Sequence, residues 1–424
     1  MGYKDTSEMK TDAPEELRQR AVLVGVGTPE DEVSVRDSLE ELAALADTAG
    51  ADTAAYVVQN LRSPDPATYI GSGKIEEVAQ IIEETGADLV ITDDELTPAQ
   101  QRNLQRELSE VTVIDRTTLI LDIFAAHASS GEGKLQVELA QLQYNLVRLA
   151  GRGQALSRLG GGIGTRGPGE KKLETDRRLI RKRISSLKAS LEEVRRHRSV
   201  IRAHRAEGTI PVAAIVGYTN AGKSTLLNAL TGAGVLAQDQ LFATLDPVTR
   251  MTELPLGQQV LLTDTVGFIR KLPHHLIEAF GSTLEEAKYA DVIIHVVDAS
   301  GPQMGQQMQT VYETLHQLQV EGIPVLTVFN KCDNLDEPLP VLRDRNADES
   351  VCVSARAGTG LEELRESLQD LLTRNLILVE RLYAYTDGSK VQLIREAGQL
   401  LSEKYTAEGI RVKAYVPPEI YGRI

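Results

Sequence analysis

Along the chain, short and nearly continuous apolar runs alternate with stretches whose apolar residues recur every three or four positions. Ala21–Val26, Thr53–Gln59, Leu89–Thr92 and Val111–Asp115 are runs rich in Val and Ala that predict buried strands. Val33–Ala49 and Lys74–Thr85 carry the helical period between them. Strand alternating with helix predicts an N-terminal α/β domain over residues 21–130, behind a polar tail, 1–20, expected to be disordered. Residues 133–150 then place Leu135, Leu139, Leu142 and Leu146 on one helical stripe, and 170–206 read as a second, long helix. Between them Gly151–Gly169 holds eight glycines, three arginines (Arg152, Arg158, Arg166) and no acid, and is expected to lie outside regular structure. Residues 131–206 thus predict a helical hairpin with a basic Gly/Arg loop.

Farther on, Ala213–Val216, Val260–Thr263, Val292–Val297, Val325–Phe329 and Val351–Val353 are strand-like, with helical segments between them. They predict a doubly wound sheet in a domain spanning 207–373. The remainder, 374–424, predicts a small α+β domain built from Leu376–Tyr385, a helix over 389–404 and a strand over 410–416. The expected class is α/β throughout, with that small α+β appendage.

Composition narrows the picture. A chain of 424 residues is too long for one ordinary core, and 42% hydrophobic with 25% charged residues is the balance of a soluble protein. No apolar run approaches the ~20 residues of a membrane span. Two cysteines, Cys332 and Cys352, without metal-ligand spacing, point to a reducing compartment, so a cytoplasmic location is expected. A net charge of −15 argues against nucleic acid, yet residues 171–205 hold thirteen basic and four acidic side chains. An acidic body with one basic arm is a different object from a uniformly acidic protein.

The chemistry lies in the fourth segment. Gly217-Tyr218-Thr219-Asn220-Ala221-Gly222-Lys223-Ser224, followed by Thr225, leaves a strand and opens a helix. Its glycines let backbone amides curl around a β-phosphate, Lys223 brings a charge to the β- and γ-phosphates, and Ser224 offers a hydroxyl to Mg²⁺. Asp264-Thr265-Val266-Gly267 ends a later strand: Asp264 suits the Mg²⁺ shell, and Gly267 can give its amide to the γ-phosphate. Asn330-Lys331-Cys332-Asp333 supplies a carboxylate that accepts the paired donors of guanine, which adenine lacks. Ser354-Ala355-Arg356 follows, where the Ala355 amide can meet guanine O6. Within Phe242-Ala243-Thr244-Leu245-Asp246-Pro247, Thr244 is the candidate switch threonine that completes the Mg²⁺ shell, and Phe242 flanks the nucleotide. Lys223, Thr244 and Gly267 are the candidate catalytic positions. Ser224, Thr244 and Asp264 are the candidate metal positions. GTP and GDP are the expected ligands.

Phe268 stands where many small GTPases carry a water-orienting glutamine, so hydrolysis is expected to be slow without a partner or an ion. Asn220 favours K⁺, because an asparagine at this loop position in related GTPases helps hold that ion against the phosphates.

Further residues carry a resemblance. Tyr69-Ile70-Gly71-Ser72-Gly73-Lys74, Asp94 to Leu104 (DELTPAQQRNL), Leu135 to Leu142 (LQVELAQL), Gly161 to Glu170 (GGIGTRGPGE) with Glu174, Asp176, Arg177 and Arg178, and Val416-Pro417-Pro418 resemble the HflX GTPases. Val147 departs from the family pattern, which commonly has proline there. The resemblance implies a GTPase that binds the large ribosomal subunit and acts in splitting stalled or idle ribosomes or in ribosome biogenesis. It also implies ribosomal RNA as a partner, with Arg152, Arg158 and Arg166 as contacts. A monomer is expected. The alternative is ATP-dependent RNA remodelling through the N-terminal domain. Gly71-Ser72-Gly73-Lys74 could hold phosphate there, but reads better as the turn that starts a helix.

Overall fold

The computed structural model describes residues 18–28, 32–159, 168–206, 210–232, 241–242, 246–273, 276, 286–335 and 341–424. The chain divides into two compact units, one ending at Ile120 and the other beginning at Leu121.

The first unit is a four-stranded parallel sheet of β1 (Gln19–Gly27), β2 (Ala51–Asn60), β3 (Leu89–Thr92) and β4 (Thr112–Asp115), in the order β2-β1-β3-β4. Helices α1 (Glu32–Thr48), α2 (Ser72–Thr85) and α3 (Pro98–Glu107) make the crossovers. Val22 and Val24 of β1 join Val90, Val113 and Val78 in its core. Local signals set the helix ends. Thr97 and Gln100 exchange the two bonds of a capping box with Pro98 at the first helical position, and Gly86 closes α2 at φ 65. Gly71 is the residue preceding α2, and the Lys74 ammonium pairs with Glu77 at 2.7 Å.

The helix α4 (Arg116–His127) crosses into the second unit, which opens with a hairpin of α5 (Gly131–Leu159) and α6 (Pro168–Ala206). Leu139, Leu187 and Leu191 form its seam, with Leu135, Leu142 and Ile184 against them, and Arg183 grips Glu138 at 2.6 and 2.7 Å. Part of the expected glycine loop proves helical, since α5 runs through Gly151 and Gly153 to Leu159. Only two of the eight glycines fall in that stretch. Each costs about 1 kcal/mol in a helix, and the run Gln154–Leu159 of helix-compatible residues between them and the cluster at 160–169 continues the ladder. The helix also passes through Val147 without a break, as expected where proline is absent.

Next comes a six-stranded sheet of β5 (Val212–Gly217), β6 (Val248–Glu253), β7 (Gln259–Asp264), β8 (Val292–Asp298), β9 (Val325–Asn330) and β10 (Glu349–Cys352), ordered β10-β9-β8-β5-β7-β6. Every pairing is parallel except β6 with β7. Helices α7 (Lys223–Thr231), α8 (Met304–Gln317) and α9 (Leu361–Thr373) flank it, and its core joins Ile215, Leu226, Leu262, Ile294, Val328 and Leu364. This is the expected doubly wound fold.

The last segment is a three-stranded antiparallel sheet, β11 (Ile377–Tyr383), β12 (Gln399–Thr406) and β13 (Gly409–Val416), ordered β11-β13-β12, with helices α10 (Gly388–Ala397) and α11 (Pro418–Tyr421). The expected helix over 389–404 is corrected here: it stops at Ala397, Gly398 breaks it, and Gln399–Thr406 pairs with β13 instead. Ladder bonds to β13 override a helical period that is only weakly apolar beyond the glycine.

Candidate nucleotide site

The site grows from the carboxyl ends of β5, β7 and β9, the crevice that open α/β sheets offer to ligands. The apolar strand β5 delivers Gly217 to the turn, where an added Cβ would lie 2.3 Å from the Val296 carbonyl oxygen, so glycine is required. Asn220 sits in the left-handed region at φ 59 with its side chain exposed. Gly222, at φ 93, would put a Cβ 2.3 Å from the Asn330 amide nitrogen.

The Lys223 ammonium is buried and donates to the carbonyls of Tyr218 at 2.8 Å and Gly217 at 3.2 Å. Burial pulls its pKa down to about 8, against the opposing pull of Asp264. The Ser224 hydroxyl donates to the Asp264 carboxylate at 2.7 Å, and Asp264 is fully buried at the end of β7. Thr225 lies half-buried in the first turn of α7. A Cβ on Gly267 would stand 2.9 Å from the Lys223 nitrogen and 3.0 Å from Thr219 Cα, so the 264–267 turn rests directly on the phosphate loop.

That contact is stitched by backbone. Thr219 N–H donates to the Phe268 carbonyl at 2.8 Å, Phe268 N–H to the Gly217 carbonyl at 3.0 Å, and Arg270 N–H to the Tyr218 hydroxyl at 2.8 Å. The Phe268 ring is buried, 1% exposed, and so is removed from any role in handling water.

On the base-recognition side, the Asn330 amide donates to the Ala221 carbonyl at 2.9 Å, while its oxygen accepts from Ala355 N–H at 3.0 Å. One buried side chain thus ties the phosphate loop to the Ser354–Arg356 turn. In this conformation the Ala355 amide is engaged with Asn330, so an O6 contact requires that donor to be shared. Ser354 is buried and its hydroxyl accepts from Ala357 N–H, whereas Asp333 and Arg356 are exposed on neighbouring turns. Lys331, at φ 63, pairs with Asp298 at 2.7 Å, a partner that the sequence reading did not assign.

Phe242 is buried at φ 58 and packs edge-on against Phe124, with centroids 4.6 Å apart. Thr244 and Arg166 lie outside the described residues, and Arg152 and Arg158 lie in α5 with side chains outside them. Asp246, two residues past Thr244, is the position that sequence reasoning passed over; only the Ser129-Ser130 pair ahead of a helix hinted at a capping site there.

Three family models match in sequence: "GTP-binding GTPase N-terminal" over residues 36–125, "GTP-binding GTPase Middle Region" over 127–205 and "50S ribosome-binding GTPase" over 212–331. A GTPase HflX of Lacrimispora saccharolytica is 57% identical, the match covering 96% of each chain. The chain belongs to the HflX GTPase family. The HflX of Escherichia coli is 41% identical over 92% of this chain and 89% of its own. As a family member the chain is a GTP hydrolase, a phosphoryl-transfer enzyme. Among solved structures, a GTP-binding protein of Sulfolobus solfataricus in complex with GDP is 29% identical, covering 84% of this chain and 99% of that one, with a TM-score of 0.43.

Proposed function

We propose that this HflX GTPase binds the large ribosomal subunit through ribosomal RNA and uses GTP binding and hydrolysis to dissociate or recycle stalled or idle ribosomes, or to act in ribosome biogenesis. The observation that carries the reading is the match of residues 212–331 to the 50S ribosome-binding GTPase model in a chain that also holds a basic hairpin. Arg152, Arg158 and Arg166 are the proposed RNA contacts, binding phosphates and therefore sensitive to salt. In this reading the domains are 21–130, 131–206, 207–373 and 374–424, and the chain works as a cytoplasmic monomer. No helix among the described residues is long and apolar enough to cross a membrane.

In the proposed hydrolysis, water attacks the γ-phosphorus and its bond to the β–γ bridging oxygen breaks. The Gly217–Ser224 loop cradles the phosphates, and Lys223 neutralises charge that grows on the leaving oxygens. Gly267 gives its amide to the γ-phosphate, Asp333 accepts from guanine, and Asn330, Lys331 and Ser354–Arg356 shape the base pocket. The residues also fit Mg²⁺. The Ser224 hydroxyl and the Asp264 carboxylate lie side by side, a hard oxygen set suited to that ion. Among the described residues no cluster of three or more His, Cys, Asp or Glu could hold a metal. When bound, Mg²⁺ would neutralise charge on the β- and γ-phosphates, with Thr244 completing its shell. Because Phe268 is buried, we expect slow hydrolysis alone, faster in K⁺ than in Na⁺ through Asn220, and faster still with a partner.

The test is GTP hydrolysis in K⁺ buffer with and without purified large subunits, using Lys223→Ala as the control. A strong rise with subunits that the control lacks supports the reading. An unchanged rate overturns the ribosome as partner.

A further inference from the structure

Asp246 lies two residues beyond the candidate switch threonine, and its carboxylate accepts four hydrogen bonds from the two residues ahead of α5. Oδ2 accepts from Ser129 N–H at 3.1 Å, the Ser129 hydroxyl at 2.7 Å and Ser130 N–H at 2.7 Å, and Oδ1 accepts from the Ser130 hydroxyl. Ser129 and Ser130 are the two residues that lead into α5. The Ser130 hydroxyl accepts from Gly133 N–H at 2.8 Å, so this serine caps the helix, and Asp246 lies against the positive end of its dipole. Gly133 leaves the room: a Cβ there would sit 2.5 Å from Asp246 Oδ1.

A second contact pins the other side of the same segment. Phe242, two residues before Thr244, packs on Phe124 in the last turn of α4. Both flanks of the switch threonine are therefore fixed to one corner, where α4 hands over to α5. Arg198 of α6 pairs with Glu132 in the first turn of α5 at 2.7 Å and approaches Glu286, beyond the 264–267 turn, at 3.9 Å. A helix of 29 residues, at ~1.5 Å each, carries that corner about 43 Å out to the loop.

We propose that Asp246 is a positioning residue of the GTPase: it fastens the Thr244 segment to the amino end of α5, so that load on the hairpin tip and placement of Thr244 at the γ-phosphate are one coupled event. The inference rests on the reading of Thr244 as the γ-phosphate sensor and of the hairpin tip as the RNA contact. A coupling of this kind amounts to about five- to 150-fold in rate or affinity.

The test compares the full chain with Asp246→Asn, Ser130→Asp and the double variant Asp246→Ser/Ser130→Asp. Hydrogen exchange over residues 129–136 is read with GDP and with a non-hydrolysable GTP analogue, and GTP turnover is read with and without large subunits. In the wild type the two nucleotides are expected to give different protection at this corner. In Asp246→Asn, which keeps the shape and loses the charge, the difference should vanish and stimulation by subunits should fall at least about tenfold, while GDP, which lacks the γ-phosphate, binds as before. Ser130→Asp sets two carboxylates face to face and should uncouple the corner although aspartate caps a helix well. The double variant restores one acid facing one hydroxyl and should regain the coupling. A lost cap alone would not produce that pattern. Nucleotide-dependent protection and stimulation that persist in both single variants would overturn the proposal. If the wild type shows the exchange difference but no stimulation by subunits, the coupling stands and the ribosomal reading fails.

Discussion

Two α/β sheets, one parallel throughout and one parallel except at its β6 edge, each carry carboxylates at the carboxyl ends of their strands and use them in opposite ways. In the N-terminal sheet the charges are consumed within the fold. Arg116, 1% exposed, pairs with Glu41 at 2.9 Å and reaches Asp93 at 3.4 Å. Asp93 also accepts from the Ser38 hydroxyl at 2.7 Å, and Asp115 accepts from the amides of Leu96 and Thr118. In the GTPase sheet the corresponding groups face the ligand crevice: Lys223 rests on two carbonyls of its own turn, Asp264 accepts from the Ser224 hydroxyl at 2.7 Å, and Asp333 is exposed. Fold alone does not separate these cases; where each polar group finds its partners does.

The sharpest way to break this contrast is at the base pocket. Asp333→Asn should weaken discrimination between GTP and ATP by about 10³-fold, because an amide offers a donor where guanine needs an acceptor. Competition binding with the two nucleotides measures it, and an unchanged ratio would move guanine recognition elsewhere. In the other sheet, Arg116→Met strands two acids in the interior and should cost about 3–5 kcal/mol of stability. Urea unfolding reads that loss, and GTP turnover per folded molecule should stay at the wild-type value. A loss of turnover without a loss of stability would give the N-terminal sheet a catalytic part.

A smaller effect sits behind the GTPase sheet. His295 is buried on β8, edge-on to Tyr312 and 4.0 Å from Asp344, and burial brings its pKa down to about 4. The folded state then binds fewer protons than the unfolded one between pH 4 and 6.5. Stability from this group is complete above pH 6.5 and is lost as pH falls towards 4, by about 3 kcal/mol. His295→Gln should lack that part of the pH dependence in urea titrations at pH 7 and 4.5; identical slopes would contradict the assignment. The smallest effect is ionic: replacing K⁺ by Na⁺ should slow turnover by about tenfold or less, within the range of a modest coupling, and Asn220→Ala should erase the difference.

Much of this was legible from residue types alone. The runs at 89–92 and 292–297 are strands because Val, Ile and Leu on both faces, broken only by Thr92 and His295, suit a sheet covered on both sides. The loop at 217–224 declared itself because glycine, lysine and serine at fixed spacing meet one requirement, a wrapped phosphate. What escaped was set by partners distant in sequence. Val248–Glu253 is an edge strand with one covered side, so its pattern is weak and only pairing with β7 defines it. Gln399–Thr406 looks helical until β13 supplies its ladder. Asp246 reads as a loop acid, and its serine partners lie 116 and 117 positions away.

The most direct test of the claim that one sheet alone carries the nucleotide chemistry is turnover of both GTP and ATP by Lys223→Ala. The account predicts that GTP hydrolysis falls by about 10²–10³-fold and that no ATP hydrolysis remains above background. ATP turnover that survives in this variant would place a second motor in the N-terminal sheet and contradict the division drawn here.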